Sequence, residues 1–83
     1  MKKVFESKLV GFDESAEQIT VYELESIEER RELDEMQHSE LCELFNVFDE
    51  MSYCVAPGAV YHHYDFDIKG SFLIMTDYTA YNV

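Results

Sequence analysis

Runs of β-branched and aromatic residues lie towards both ends of the chain and predict strands there. Residues 3–12 form one run and residues 19–25 (ITVYELE) another, with the polar stretch DESAEQ (residues 13–18) between them. A gap of about six polar residues between two such runs predicts a hairpin. Residues 60–68 (VYHHYDFDI) and 71–83 (SFLIMTDYTAYNV) predict a second hairpin near the end of the chain.

The sequence DIKG (residues 67–70) predicts the turn of this second hairpin. Asp67 and Gly70 suit a type I turn followed by a G1 bulge, which gives a three-residue loop. This register pairs Asp67 with Ser71, whereas a two-residue Lys-Gly turn would scatter the apolar residues over both faces. With the three-residue loop, one face collects the largest apolar side chains of both strands: Val60, Tyr64, Phe66, Phe72, Ile74 and Tyr78.

The middle of the chain has helical periodicity. Ser26 and Glu29 match a capping box, which marks the start of a helix. The apolar phase weakens between Met36 and Leu41, so the helix is expected to bend or divide near residues 37–40. Pro57-Gly58 predicts a turn after it. The apolar positions that share about half of the helical wheel are Leu33, Met36, Leu41, Leu44, Phe45, Val47, Phe48 and Met51.

These elements together predict one α+β domain over residues 1–83. Two hairpins would form an antiparallel β-sheet, and one long helix, bent or divided, would pack on it in the order ββαββ. A chain of 83 residues has no room for a second hydrophobic core.

Charge is distributed very unevenly. The net charge is −12, and residues 13–50 account for all of it, with fourteen carboxylates and two arginines. The rest of the chain has four carboxylates and four lysines. On the predicted helix five glutamates follow the spacing of successive turns and would form a stripe roughly 33 Å long, opposite the apolar residues. They are Glu28, Glu32, Glu35, Glu43 and Glu50.

Like charges three or four residues apart cost about 0.2–0.5 kcal/mol per pair, so such a stripe works modestly against the helix. A solvated helix face is the plain interpretation. A surface for a basic partner is the preferred one, because solubility does not require so much uncompensated charge. Carboxylates repeating every turn, roughly 5–6 Å apart, resemble a row of phosphates. Tyr61 and Tyr81 are further candidates for partner contacts, since tyrosine is enriched at interface hot spots.

No motif for catalysis or cofactor binding is recognised in the sequence. It contains neither G-x-S-x-G nor a glycine-rich phosphate loop. His62 and His63, with Asp65, Asp67 and Asp77, are weak evidence for zinc because a fourth well-placed ligand is missing. Cys42 and Cys54 lack the C-x-x-C spacing and are expected to have a structural or incidental role. We therefore predict no catalytic residue, cofactor or metal ligand, and a location in the cytoplasm.

Length, acidity, the MKK start and the single-helix α+β layout resemble the small inhibitors that phages and mobile elements encode. Anti-CRISPR proteins and DNA-mimic antirestriction proteins belong to this group. The resemblance implies stoichiometric inhibition of a host nuclease or its guide complex at a nucleic-acid-binding surface. The leading hypothesis is therefore a non-enzymatic inhibitor of a basic, nucleic-acid-binding protein such as a CRISPR effector or restriction nuclease. The alternatives are an antitoxin or immunity protein for a basic toxin nuclease, and an acidic enzyme that uses the His-Asp cluster.

Overall fold

A computed structural model describes residues 1–8, 10–12, 15–53 and 59–81, and for residues 10–12, 15, 50–53, 59–61 and 81 it describes the backbone alone. The predicted α+β class with an antiparallel sheet is confirmed, but the predicted order ββαββ is matched only in part. The described elements are β1 (Lys2–Glu6), β2 (Val10–Phe12), β3 (Ser15–Glu23), α1 (Ile27–Glu35), α2 (His38–Leu44), β4 (Glu50–Tyr53), β5 (Ala59–Lys69) and β6 (Phe72–Tyr81).

The strands form one antiparallel sheet in the order β1-β3-β6-β5-β4. Strand β2 also pairs with β3, beside β1, so that β1 and β2 share one edge. Ser7 lies at the break between them: its N–H donates to the carbonyl of Ile19 at 2.8 Å, and its Oγ accepts from the N–H of Ile19 at 2.8 Å. The first and last thirds of the chain are therefore joined by the long β3–β6 pairing.

The first hairpin has a shorter loop than the sequence predicts. Val10 pairs with Glu17 and Phe12 pairs with Ser15, so the hairpin forms, but residues 15–18 belong to β3 and not to the loop. The prediction was wrong there because residues 15–17 pair with β2 on one side and residues 15–18 pair with β6 on the other. Pairing on both sides outweighs a low intrinsic preference for the strand.

The second hairpin also forms, but its register differs from the predicted one. Lys69 pairs with Phe72, so the loop has two residues, Gly70 and Ser71, and the predicted pairing of Asp67 with Ser71 is wrong. Gly70 has φ 59°, a conformation that suits the first central position of a type II′ turn. Alternation along β6 then puts Phe72, Ile74 and Tyr78 on the face opposite to that of Leu73.

Two helices replace the single long helix. Helix α1 ends at Glu35, after which Met36 (ψ 140°) and Gln37 (ψ 162°) are extended. On a continuous helix Met36 and Leu41 would point about 140° apart. The break lets both side chains reach the same core, where Leu41 is buried and Met36 is partly buried.

Helix α2 ends well before Met51, the last residue of the predicted helix. Asn46 adopts φ 56°, the left-handed conformation that commonly terminates helices. Its N–H bonds to the carbonyl of Glu43 at 3.1 Å, and the N–H of Val47 bonds to the carbonyl of Cys42 at 2.8 Å. These two bonds make a Schellman motif, so the helix cannot continue into β4. The predicted turn at Pro57-Gly58 lies outside the described residues.

The core lies between the helices and one face of the sheet. Its buried residues are Leu24, Leu33, Leu41 and Leu73, and Leu73 is 0% exposed. The opposite face of the sheet keeps apolar side chains in contact with solvent. On that face Phe5 pairs with Val21 and is 54% exposed. Packed against the core are the partly buried Met1, Tyr22, Met36, Phe45, Phe66 and Ile68.

Neither of the two described helices is long and apolar enough to cross a membrane.

Candidate functional site

Three of the five predicted partner-binding glutamates share one face of α1. Glu28, Glu32 and Glu35 are all exposed and lie at positions i, i+4 and i+7 of the helix. Neighbouring side chains in this row are about 5–6 Å apart, and the row is about 10 Å long. We call these three residues the α1 acidic row.

The other two glutamates are not part of this row. Glu43 is exposed but belongs to α2, which the extended residues 36–37 separate from α1. Glu50 begins strand β4, where its backbone pairs with His62, and its side chain lies outside the described part. The predicted continuous stripe of roughly 33 Å is therefore wrong, because the helix on which it depended divides and then ends at Leu44.

The two candidate tyrosines lie at one end of the second hairpin. Tyr61 in β5 pairs with Ala80, and Tyr81 in β6 pairs with Val60, so they occupy adjacent positions of the ladder. The structure describes only the backbone at both positions. Their role in partner binding stays a prediction.

The helical side of the molecule is strongly acidic. Residues 27–44 hold seven carboxylates and two arginines, Arg30 and Arg31, both of which are exposed. Two lysine ion pairs occur in the sheet, Lys3 with Glu6 at 3.1 Å and Lys69 with Asp67 at 3.6 Å. The α1 acidic row has no ion-pair partner among the described residues. Its carboxylates are thus available to a cationic surface.

Hydrogen bonds at the start of α1 hold this helix in place. The Oγ of Ser26 accepts from the N–H of Glu29 at 3.1 Å, which is the predicted N-cap. Glu29 reaches back and accepts from the N–H of Glu25 at 2.9 Å and from the amino group of Met1 at 3.1 Å. The bond from Glu25, followed by that from the amino group, lowers the pKa of Glu29.

A second cluster of polar side chains joins α2 to the edge of the sheet. His38 and Cys42 lie four residues apart on α2, and Asp49 immediately precedes β4. One nitrogen of His38, Nε2, lies 2.8 Å from Asp49 Oδ2 and 3.5 Å from Cys42 Sγ. The ligand-type atoms of the three residues are all within 4.8 Å of one another. We call these three residues and His63 the His-Cys-Asp cluster.

Strand β5 contributes His63 to this cluster. Its Nδ1 lies 3.4 Å from Asp49 Oδ2, and its ring stacks on that of His38 with the ring centres 5.6 Å apart. Its other nitrogen, Nε2, lies 2.9 Å from Asp65 Oδ1. The second oxygen of Asp49, Oδ1, accepts from the backbone N–H of Tyr64 at 2.9 Å. Neighbouring groups therefore fix the orientation of both His63 and Asp49.

The environment of the cluster raises the pKa of the Cys42 thiol and lowers the pKa of the Asp49 carboxyl. Cys42 is only 6% exposed, and burial, followed by the nearby charge of Asp49, raises the pKa of its thiol. Burial also opposes ionisation of Asp49, but the hydrogen bonds from Tyr64 and His38 outweigh it and lower the pKa of this carboxyl. Burial thus disfavours the thiolate form of Cys42.

The residues that the sequence suggested for a weak zinc site are divided among three places. His62 bonds to Asp77 across the β5–β6 ladder, whereas His63 contacts Asp49 and Asp65. Asp67 pairs instead with Lys69. The predicted grouping of His63 with Asp65 is present, but its other members lie elsewhere.

Sequence reasoning missed His38, Cys42 and Asp49 as a group. The signal that could have found the first two was their four-residue spacing, which puts a histidine and a cysteine on one helix face. That Asp49 and His63 join this pair could not be predicted from their spacing in the sequence. Their positions depend on where α2 ends and on how α2 packs against the edge of β5. Cys54 lies outside the described residues.

Comparisons of the chain with protein-family models, with curated proteins and with solved structures give no significant match.

Proposed function

We propose that the protein is a non-enzymatic inhibitor that binds a basic, nucleic-acid-handling protein through the acidic side formed by its helices. The observation that carries this proposal is the exposed α1 acidic row, whose three carboxylates have no ion-pair partner among the described residues. A CRISPR effector or a restriction nuclease is the partner class that fits, because both handle nucleic acid on basic surfaces.

The distribution of charge supports a directed surface over general solubility. All of the net charge of −12 comes from residues 13–50, and residues 27–44, which include both helices, contribute seven carboxylates and two arginines, a net of −5. The excess of negative charge on the helical side favours its approach to a basic surface and accelerates association.

The shape of the row limits the kind of mimicry that we propose. Three carboxylates over about 10 Å can replace a few phosphates of one strand, and not the long row that a continuous helix would present. Glu43 on α2 extends the acidic surface at a separate position. The protein is therefore expected to occupy a short phosphate-binding part of its partner's groove.

The test removes charge without removing structure. The triple variant Glu28→Gln, Glu32→Gln, Glu35→Gln changes only exposed side chains and leaves the N-cap residues Ser26 and Glu29 intact. The control, matched in net charge, neutralises three exposed carboxylates away from the helices, of which Glu6 and Asp67 are paired with lysines: Glu6→Gln, Glu23→Gln and Asp67→Asn. Both variants have the same net charge, so they separate a local contact from a general field effect.

Each variant serves as bait in host lysate, and mass spectrometry quantifies the bound proteins at several salt concentrations. We expect a nucleic-acid-binding protein that the parent and the control retain and the helix variant loses. A contribution on the order of 1 kcal/mol per charged contact predicts an affinity loss of roughly 100-fold. Equal retention by both variants would show that the α1 acidic row is only a solvated face. A captured toxin nuclease would select the antitoxin alternative.

A further inference from the structure

We propose that His38, Cys42, Asp49 and His63 form a Zn²⁺-binding site between α2 and the edge of the sheet. This inference does not depend on the proposed inhibitory function, because the cluster shares no residue with the α1 acidic row. The site would take one thiolate, two imidazoles and one carboxylate, all of which are common zinc ligands.

Two of the distances within the cluster are close to those of a tetrahedral zinc site. Zinc–ligand bonds of about 2.0–2.3 Å place neighbouring ligand atoms about 3.3–3.6 Å apart. Cys42 Sγ lies 3.5 Å from His38 Nε2, and Asp49 Oδ2 lies 3.4 Å from His63 Nδ1. The hydrogen bond of 2.8 Å between His38 Nε2 and Asp49 Oδ2 has to open by about half an ångström for the metal to enter.

The direction of the ligand atoms distinguishes a metal site from a catalytic triad. In a triad the histidine uses one nitrogen for the nucleophile and the other for the carboxylate. Here the same nitrogen, Nε2 of His38, faces both Cys42 Sγ and Asp49 Oδ2. Three different donor atoms thus converge on one point, which is the arrangement that a bound cation requires.

Two of the proposed ligands already have the supporting hydrogen bonds that are typical of metal sites. Histidine ligands usually donate their second N–H to a carboxylate, which fixes the tautomer. Asp65 Oδ1 lies 2.9 Å from Nε2 of His63, and when Nε2 carries the proton the lone pair of Nδ1 faces Asp49. The N–H of Tyr64 holds Oδ1 of Asp49 and leaves Oδ2 for the metal.

The chemistry of the ligands selects the metal, and the surface provides access to it. A mixture of thiolate, imidazole and carboxylate in a tetrahedral arrangement favours Zn²⁺ over Mg²⁺ or Ca²⁺, which prefer oxygen ligands in larger numbers. The cluster borders an open groove of about 520 Å³ that also includes Asn46, Val47 and Phe48. An ion can therefore enter without unfolding the protein.

The test uses the full chain, freed of metal with a chelator and then titrated with Zn²⁺ and, separately, with Co²⁺. We expect one equivalent of each to bind, with proton release from the Cys42 thiol. Cobalt should give the visible absorption of a tetrahedral site and a thiolate-to-cobalt charge-transfer band. Cys42→Ser should abolish that band, whereas Cys54→Ser should keep it.

The neighbouring histidines provide the matched comparison. His63→Ala should weaken Zn²⁺ binding at least about tenfold, whereas His62→Ala, which alters the adjacent residue bonded to Asp77, should leave the affinity unchanged. Asp65→Asn should cost about tenfold through the orientation of His63. The proposal is overturned if less than half an equivalent of zinc binds, if Cys42→Ser keeps the charge-transfer band, or if His63→Ala and His62→Ala bind zinc equally well.

Discussion

Shortening Leu73 to alanine tests the packing on which the whole arrangement of helices and sheet depends. Leu73 lies in β6 between Tyr22 of β3 and Ile68 of β5, and it is 0% exposed. Replacement of a fully buried leucine by alanine typically costs about 2.7–5 kcal/mol, because the transfer free energy is lost and a cavity remains. We expect a loss of about 3 kcal/mol here.

A loss of this size would be a large part of the total stability. A chain of this length has a free energy of unfolding of roughly 4–12 kcal/mol. A change of 3 kcal/mol should therefore lower the Tm by about 12–24 °C. The measurement is urea unfolding followed by far-UV circular dichroism, in the presence of a chelator so that bound metal does not change the reference state.

The matched control is Leu44→Ala, the same chemical change at a position that is 50% exposed. Its expected cost is below about 1 kcal/mol, since little apolar area is lost and alanine is a good helix former. If Leu73→Ala and Leu44→Ala cost the same, then the helices do not pack over Leu73, and the burial described above is incorrect.

Three further substitutions test local features. Gly70→Ala should destabilise the protein by about 1 kcal/mol because φ is positive at this position. Gly70→Asn should cost less, since asparagine adopts positive φ more readily than alanine. Urea unfolding measures both changes. Asn46→Ala should cost about 1 kcal/mol and Asn46→Gly little, if the Schellman motif ends α2. Folding lowers the pKa of Glu29, so its carboxylate stabilises the protein above the pKa that this group has in the unfolded chain. This contribution is lost as the pH falls through the pKa of Glu29 in the folded protein. Glu29→Gln should therefore destabilise the protein more at pH 7 than at pH 3, as measured by thermal unfolding.

The hairpins and the first helix could be predicted because their signals are local. Ser26 acts as the N-cap that its spacing to Glu29 indicated. The weak apolar phase after Met36 marked the place where the helix divides. These features depend on residues a few positions apart, so the order of amino acids alone contains the information.

The register of the second hairpin could not be predicted from burial alone. The prediction assumed that Phe72, Ile74 and Tyr78 join Phe66 on one buried face. In the structure both faces of the sheet hold large apolar side chains, and Phe72 is 41% exposed. Where both faces are apolar, the hydrophobic pattern does not choose between two registers, and the turn geometry at Gly70 decides.

Among the site residues, too, some could be predicted from local spacing and others could not. The α1 acidic row was predictable because its three glutamates follow each other at intervals of about one helix turn. Glu43 is separated from this row because the extended residues 36–37 divide the helix, and Glu50 is separated because the Schellman motif at Asn46 ends α2. The His-Cys-Asp cluster depends on contacts between α2 and β5 over more than ten residues of sequence, which no spacing rule supplies.

Competition with nucleic acid is the most direct test of the central claim. The parent protein, immobilised, is loaded with the partner that it captures from host lysate, and duplex DNA or guide RNA is then titrated into the complex. If the acidic helical side occupies a phosphate-binding groove, nucleic acid titrated at constant salt should release the partner, because both bind the same basic groove. A partner that binds no nucleic acid, or one that binds nucleic acid and the protein at the same time, would contradict the account.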